Sequence, residues 1–361
     1  MEVEELLCMN KGDGENSYLQ NSENSQKVAA MAKPALENAV QSLFSKGFLP
    51  YQVLNVADLG CSSGSETFSV VETVIQNVKI KCKELNCQIP EFQFYLNDLT
   101  GNDFNTLFRG SSNFTEKYSD LHCFVMGSPG SFHGRLFPKN TMHLIYSSYA
   151  IQWLSKVPTL RDKEGFPLNK GKMYISDTSP PVVKEAYLAQ FQEDFGFFLK
   201  CRSQEMIQNG RVFLIFHGRV SEEHTTKETC VGWEPLTEAI AELVSQGLIS
   251  EEKLDSFDAP DYVPSLQEVK DIVGKEGSFE IEVLETFPIE IGDKEFWSNE
   301  EILAKDIRSF TESLVSYHFG EEIVEKLYAQ LTDSWLHKKN QTREGILRIL
   351  QVKRAAAVGN L

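Results

Sequence analysis

Asn55-Val-Ala-Asp-Leu-Gly-Cys-Ser-Ser-Gly-Ser-Glu-Thr-Phe68 decides the fold. A short apolar run ends in an acid, Asp58, and two glycines, Gly60 and Gly64, follow closely. An amphipathic pattern then puts Phe68, Val71, Val74, Ile75 and Val78 on one helical face. Strand, tight turn and helix in that order are the opening of an α/β unit. In an open parallel sheet, ligands bind beyond the carboxyl ends of the strands, which is where this turn lies. The glycines allow close backbone approach, and the helix start offers free N–H groups.

The rest of the chain extends the pattern. Strands are expected at 91–96 (EFQFYL), 122–127, 142–150 and 211–216, with a long helix over 184–207. A further helix is expected over 28–44, broken or restarted at Pro34 and stopped by Gly47. Alternating strands and helices predict an α/β fold with a mostly parallel central sheet. Helical patterns dominate 220–273, where Ser265-x-x-Glu268 reads as a capping box. A strand at 278–291, a helical stretch over 300–336 and a last strand at 345–352 complete the reading. With no repeat and no linker in 361 residues, we expect a single domain over 1–361. Its helical cap is built mainly from 220–275 and 300–336.

Composition bounds the partners. The formal net charge is −17, which repels nucleic acid and anionic membranes. The seven cysteines are odd in number and form no C-x-x-C pair, so free thiols in a reducing, cytoplasmic setting are expected. The start of the chain has no secretory pattern, and nowhere do ~18 apolar residues run together. The sequons at Asn113 and Asn340 then read as chance matches.

Three cofactors compete for the turn. A dinucleotide site wants G-x-G-x-x-G, but Ser62 stands where the second glycine belongs; the P-loop pattern is absent. S-adenosylmethionine (SAM) carries no pyrophosphate and needs fewer glycines. Its ammonium and sulfonium are cationic, so Asp58 suits it. Asp98, at the end of the next strand, suits the two ribose hydroxyls. The turn alone also fits a plain strand–helix connection; Asp98 is what tips the reading toward SAM.

A second loop, Ser128-Pro-Gly-Ser-Phe-His-Gly-Arg-Leu-Phe-Pro138, places Ser131 and Phe132 to meet an adenine. With it, the chain resembles the plant SABATH methyltransferases along its whole length. The resemblance lies in Met9-Asn-Lys-Gly-Asp-Gly-Glu-Asn-Ser-Tyr-Leu-Gln-Asn-Ser22, Asp58-Leu-Gly-Cys-Ser-Ser-Gly64, Leu96-Asn-Asp-Leu99 and Gly130-Ser-Phe-His-Gly-Arg-Leu-Phe-Pro138. It continues in Ser147-Ser-Tyr-Ala-Ile-Gln-Trp-Leu-Ser155, Asn169-Lys-Gly-Lys172 and Leu254-Asp-Ser-Phe257. The caffeine synthase branch is most similar, through TSPPVVKEAYLAQFQEDF (178–195), AIAELVSQGLISEEKLDSF (239–257) and CKELNCQ (82–88).

That resemblance implies a Rossmann-like SAM-dependent methyltransferase fold with a helical cap over the active site, and a homodimer. It places SAM against Tyr18, Asp58, Cys61, Glu66, Asp98, Leu99, Ser131, Phe132 and Ser148. The methyl acceptor, a xanthine, would lie against Tyr18, Asn21, Ser25, Tyr149, Gln152, Trp153 and His217, with Gln152 and Trp153 nearest the chemistry. Some relatives hold Mg²⁺; the matching positions are Asn169, Asp255, Phe257 through its carbonyl, and Asp258. Oxygen donors of this kind suit a hard cation.

Departures bear on substrate. The family's usual Gly-Pro-Asn-Thr is Gly64-Ser-Glu-Thr67 here, so Glu66 replaces an asparagine near the cofactor. Gln152 stands where caffeine synthases commonly carry histidine, so no histidine base carries over. Ser25 stands where methylators of aromatic acids often have a glutamine. His217 suits a purine carbonyl, but equally a strand-end histidine satisfied locally. Trp153 suits an acceptor wall or the core. The expected activity is N-methylation of a xanthine, in caffeine biosynthesis. The alternatives are carboxyl O-methylation of a salicylate- or benzoate-like acid, and a SAM-binding protein without transfer, favoured only by Gly64-Ser-Glu-Thr67.

Overall fold

The computed structural model describes residues 3–44, 52–110, 112–224, 232–291, 300–337 and 343–355. Gly47, Cys230 and Asn340 lie outside them. Seven strands form one sheet: β1 Val53–Leu59, β2 Glu91–Asp98, β3 Cys123–Pro129, β4 Met142–Ser148, β5 Met206–His217, β6 Phe279–Ile291 and β7 Arg343–Arg354. Their order is β3-β2-β1-β4-β5-β7-β6. β1 pairs in parallel with both β2 and β4, so the winding direction reverses between β1 and β4. A crevice at the carboxyl ends of those two strands is where such a sheet takes its ligand. β7 slots between β5 and β6 and runs antiparallel to both.

The helices are α1 Val3–Leu6, α2 Tyr18–Asn21, α3 Glu23–Ser42, α4 Glu66–Glu84, α5 Phe104–Gly110, α6 Ser112–Lys117, α7 Pro181–Glu205, α8 Trp233–Ser245, α9 Glu251–Leu254, α10 Leu266–Glu276, α11 Glu300–Phe319 and α12 Glu321–His337. One face of the sheet buries α3 and α4 through Val28, Leu36, Val40, Val71, Val74 and Ile75. The other buries α7 through Tyr187, Phe191, Phe195 and Phe198, together with Val269, Ile272 and Val273 of α10. A third cluster forms the cap: Trp233, Leu236 and Ile240 of α8 pack with Leu314, Val315, Leu327 and Leu331 of α11 and α12.

Two sequence expectations change in detail, and one feature is added. Helix α3 begins at Glu23 and passes unbroken through Pro34. Pro34 is exposed, and so is Ala30, whose carbonyl loses its partner, so water can serve that carbonyl instead. The α10 helix belongs to the sheet's outer layer, not to the cap. Val3 and Leu7, near the start of the chain, join the cap core, which no local pattern announced. The capping box forms as read: Ser265 accepts from the Glu268 N–H, and Glu268 reaches back to the Ser265 N–H.

Candidate active site

The crevice between β1 and β4 opens into a cavity roofed by the cap. Its floor is the turn after β1. Gly60 has φ +75°, and a Cβ there would lie 2.5 Å from the Cβ of Ala150, the second residue after β4. No other residue type fits, so glycine is what lets the two strand ends meet. Gly64 differs: the obstacle to a Cβ is the flexible carboxylate of Glu66. Ser62 and Tyr149, which also line the cavity, hold positive φ of 52° and 54°. Such strained backbone persists where surrounding structure imposes it.

On one side of the cavity stand Tyr18, Gly60, Ser62, Asp98, Leu99, Ser131, Phe132 and Ser148. Asp98 ends β2, and its two carboxylate oxygens accept from the Ser62 and Leu99 N–H groups, each at 2.7 Å. Burial nevertheless pushes its pKa up to about 6. Buried Asn97 donates to the carbonyls of Ser128 and Gly130, tying the end of β2 to the loop that carries Ser131 and Phe132. Phe132 is braced edge-on by Phe198.

Asp58 and Cys61 stand behind this surface. The Asp58 carboxylate accepts from the Thr67 hydroxyl at 2.6 Å and so anchors the start of α4. Burial raises it to about 7, and Asp98 and Glu66 add to the rise. Cys61 packs against Leu96 and Leu107. Glu66 folds back over Gly64; burial raises its pKa, opposed by the Ser22 hydroxyl and its own N–H.

The other side is aromatic. Trp153 meets Trp233 edge-on at 6.2 Å and Phe310 at 6.4 Å, and Tyr149 meets His217 at 4.8 Å. Gln152 is buried, and its Oε1 has no hydrogen-bond partner. Ser25 lines the cavity and bonds the Tyr18 hydroxyl at 3.1 Å. Burial lowers His217 to about 4, so it is neutral near pH 7.

Asn21 needs correction. Its amide donates to the carbonyls of Glu15 and Ser17, and it does not line the cavity. Asn24, three residues on in the first turn of α3, does, with Oδ1 unpartnered. The sequence reading also missed Trp233, Asp261, Asp306 and Phe310, which descend from the cap or lie beside it, and the N-terminal segment from Val3 to Met9. Helical spacing could have paired Asp306 with Phe310, but nothing local showed that their face is roofed onto this cavity.

The four cation positions lie on two neighbouring segments, joined where the Gly171 N–H donates to Asp255 and the Ala259 N–H to the Met173 carbonyl. Asn169 Oδ1 already accepts from Ser179, and its amide holds the Tyr174 carbonyl. Asp255 accepts from the Gly171 N–H. Phe257 is core, and Asp258 is a half-buried acid raised to about 7 by desolvation. Among the described residues no three His, Cys, Asp or Glu side chains gather for a metal. Asn169 and Asp255 brace the loops they belong to.

The charges in the cavity are one-sided. Asp306 is raised to about 8, first by burial and then by Glu66 and Glu23; Asp261 is raised to about 7 by burial. Among the described residues no lysine or arginine lines the cavity. A cluster of Asp58, Glu66, Asp98 and Asp306 without a cation is costly when ionised, and a cationic ligand relieves that cost.

Residues 4–354 match the family described as SAM-dependent carboxyl methyltransferase, the SABATH family. The chain belongs to it. This SABATH chain is a SAM-dependent methyltransferase. It is 55% identical over 336 residues to a 3,7-dimethylxanthine N-methyltransferase of Camellia sinensis var. assamica, covering 91% of each chain. It is 51% identical over 360 residues to a probable 7-methylxanthine methyltransferase of Theobroma cacao, covering 98% of this chain and 99% of that one. A solved loganic acid methyltransferase with S-adenosylhomocysteine superposes with a TM-score of 0.88 at 34% identity, covering 98% of this chain and all of that one. The fold of that structure is therefore the fold found here.

Proposed function

We propose that this methyltransferase transfers a methyl group from SAM to a ring nitrogen of a xanthine. The carrying observation is the acceptor half of the cavity: aromatic walls, one buried amide, two acids and, among the described residues, no lysine or arginine. A neutral purine needs flat apolar walls and a few hydrogen bonds. A carboxylate would be buried without a cation and in the company of Asp261 and Asp306, at a cost of several kcal/mol. Two relatives named as methylxanthine methyltransferases, at 51–55% identity, support the same reading.

SAM supplies an electrophilic methyl with a neutral leaving group, so the protein's task is alignment and exclusion of water. We assign the cofactor to Tyr18, Asp98, Leu99, Ser131, Phe132 and Ser148, with Asp58, Cys61 and Glu66 shaping the turn beneath it. We assign the acceptor to Ser25, Asn24, Tyr149, Gln152, Trp153, His217 and Trp233. Trp153 and Tyr149 form the flat slot, and the free Gln152 Oε1 accepts a ring N–H. Alignment of this kind lowers barriers by about 7–11 kcal/mol in favourable cases.

The test is turnover with methyl-labelled SAM on xanthine, 7-methylxanthine and 3,7-dimethylxanthine against salicylate, benzoate and loganic acid. At least one xanthine should show the higher kcat/KM. Efficient methylation of an acid with no xanthine product would replace N-methylation by carboxyl O-methylation, the activity in the family's description.

A further inference from the structure

We propose that Asp261 is the base that takes the proton from the acceptor's ring nitrogen as the methyl group arrives. This rests on the N-methylation proposed above and supplies the proton acceptor that Gln152 cannot be, because an amide does not hold a proton near neutrality. The argument begins with the backbone. The Leu154 N–H donates to the Pro260 carbonyl at 2.8 Å, and the Tyr262 N–H donates to the Gln152 carbonyl at 3.0 Å. Trp153 and Asp261 are therefore directly opposed in an antiparallel bridge. The pair lies between the hydrogen bonds, the arrangement in which facing side chains come closest and leave the same side. Both side chains line the cavity. Asp261 Oδ2 accepts from the Trp233 indole N–H at 3.2 Å, so the carboxylate sits in the corner between two edge-on tryptophans, with Oδ1 left for a ligand.

The charges balance through this residue. The nitrogen–methyl bond forms, the methyl–sulfur bond breaks and sulfur keeps the electron pair. The N–H proton passes to the carboxylate. One cation and one anion thus become a neutral thioether and a neutral carboxylic acid, which a low-dielectric cavity favours. The acid returns its proton to solvent after product leaves.

Burial raises Asp261 to about 7, and the Trp233 hydrogen bond opposes the rise. It is thus a stronger base than His217, lowered to about 4. From α7 it faces Tyr187, whose ionisation it disfavours. Around the cavity stand Glu4 and Cys8 from the N-terminal segment, His133 from the adenine-side loop, Tyr149 and His217 from the strand ends, and Asp306 from α11. Asp306 stands between the two halves: its charge is felt by Tyr149 and by Tyr18, and it is itself raised by burial and then by Glu66.

The experiment is a kcat–pH profile of the full chain with SAM and the best xanthine from the substrate screen. Wild type should show an acidic limb with an apparent pKa of about 7. Asp261→Asn should lose that limb and fall about 10²–10⁴-fold in kcat, with S-adenosylhomocysteine affinity within a few-fold. Trp233→Phe removes the donor that favours the ionised carboxylate, so its limb should move to higher pH; this arm stands even where Asp261→Asn fails to fold. A limb unmoved by both variants, or one removed by Asp306→Asn instead, overturns the proposal. If wild type methylates acids and no xanthine, the substrate reading has failed first and Asp261 loses its proton donor with it.

Discussion

Asp98→Asn separates cofactor binding from turn bracing. The wild-type carboxylate is held by the Ser62 and Leu99 N–H groups, each 2.7 Å from a different oxygen. Asparagine keeps the size but offers one acceptor oxygen, so one of these buried N–H groups must face an NH₂ donor. That mismatch costs about 1–3 kcal/mol and appears as lost stability, with or without ligand. The ligand term is separate. A ribose diol loses a charged acceptor, and hydrogen bonds to a charged group are worth about 1.5–3 kcal/mol. At about 1.4 kcal/mol per decade, the Kd for S-adenosylhomocysteine should rise about 10- to 150-fold. Isothermal calorimetry on the folded variant, beside a denaturant titration, reads both terms. A variant that loses stability but keeps wild-type affinity would show that Asp98 braces the turn and does not hold the cofactor.

Other outcomes follow from the same geometry. Asp58 and Asp98 are raised to about 7 and about 6, and a cation favours their ionised forms. SAM binding should therefore release protons, and its affinity should fall as pH drops through about 7 to 6; calorimetry in two buffers of different ionisation enthalpy reads the release. Trp153→Ala should abolish turnover while S-adenosylhomocysteine affinity stays within a few-fold and the thermal transition stays sharp; loss of that transition would make Trp153 a core residue. Gly60→Ala should cost about 2–5 kcal/mol in denaturant unfolding, the sum of a left-handed backbone and a 2.5 Å clash with Ala150. Gly64→Ala meets only the movable Glu66 carboxylate and should cost about 1 kcal/mol or less.

The legible parts of this chain are those whose physics is local. The turn after β1, the acid ending β2 and the capping box at Ser265 each depend on neighbours in sequence, and each stands where it was read. The place of β7 between β5 and β6 depends on pairing with strands far away in the chain, so sequence gave a strand there but not its direction. Pro34 misled because a proline is tolerated inside a helix when the carbonyl it frees faces water. Asn21 and Asn24 are alike as residue types; only the turn that consumes the Asn21 amide tells them apart. Asn169 has the chemistry of a cation ligand, but Ser179 and the Tyr174 carbonyl occupy it. Trp233, Asp261 and Phe310 were invisible as site residues because they reach the cavity only when the cap closes over the sheet.

Fold alone does not decide what is methylated. The solved loganic acid methyltransferase shares nearly the whole architecture at 34% identity, and its name gives a carboxylic acid as substrate. The decision must therefore lie in the few side chains of the acceptor half, and there charge is the strongest discriminator. Asp261 and Asp306 are raised to about 7 and about 8, so an arriving carboxylate would push them further toward protonation or be repelled. A ring N–H instead brings a donor to a carboxylate that wants one, and methylation frees a proton that the same carboxylate can take. Acids without cations are a liability for binding an anionic acceptor, yet for a neutral one they complete the reaction. The cationic sulfonium is then balanced by the carboxylates of the cavity in which the methyl group moves.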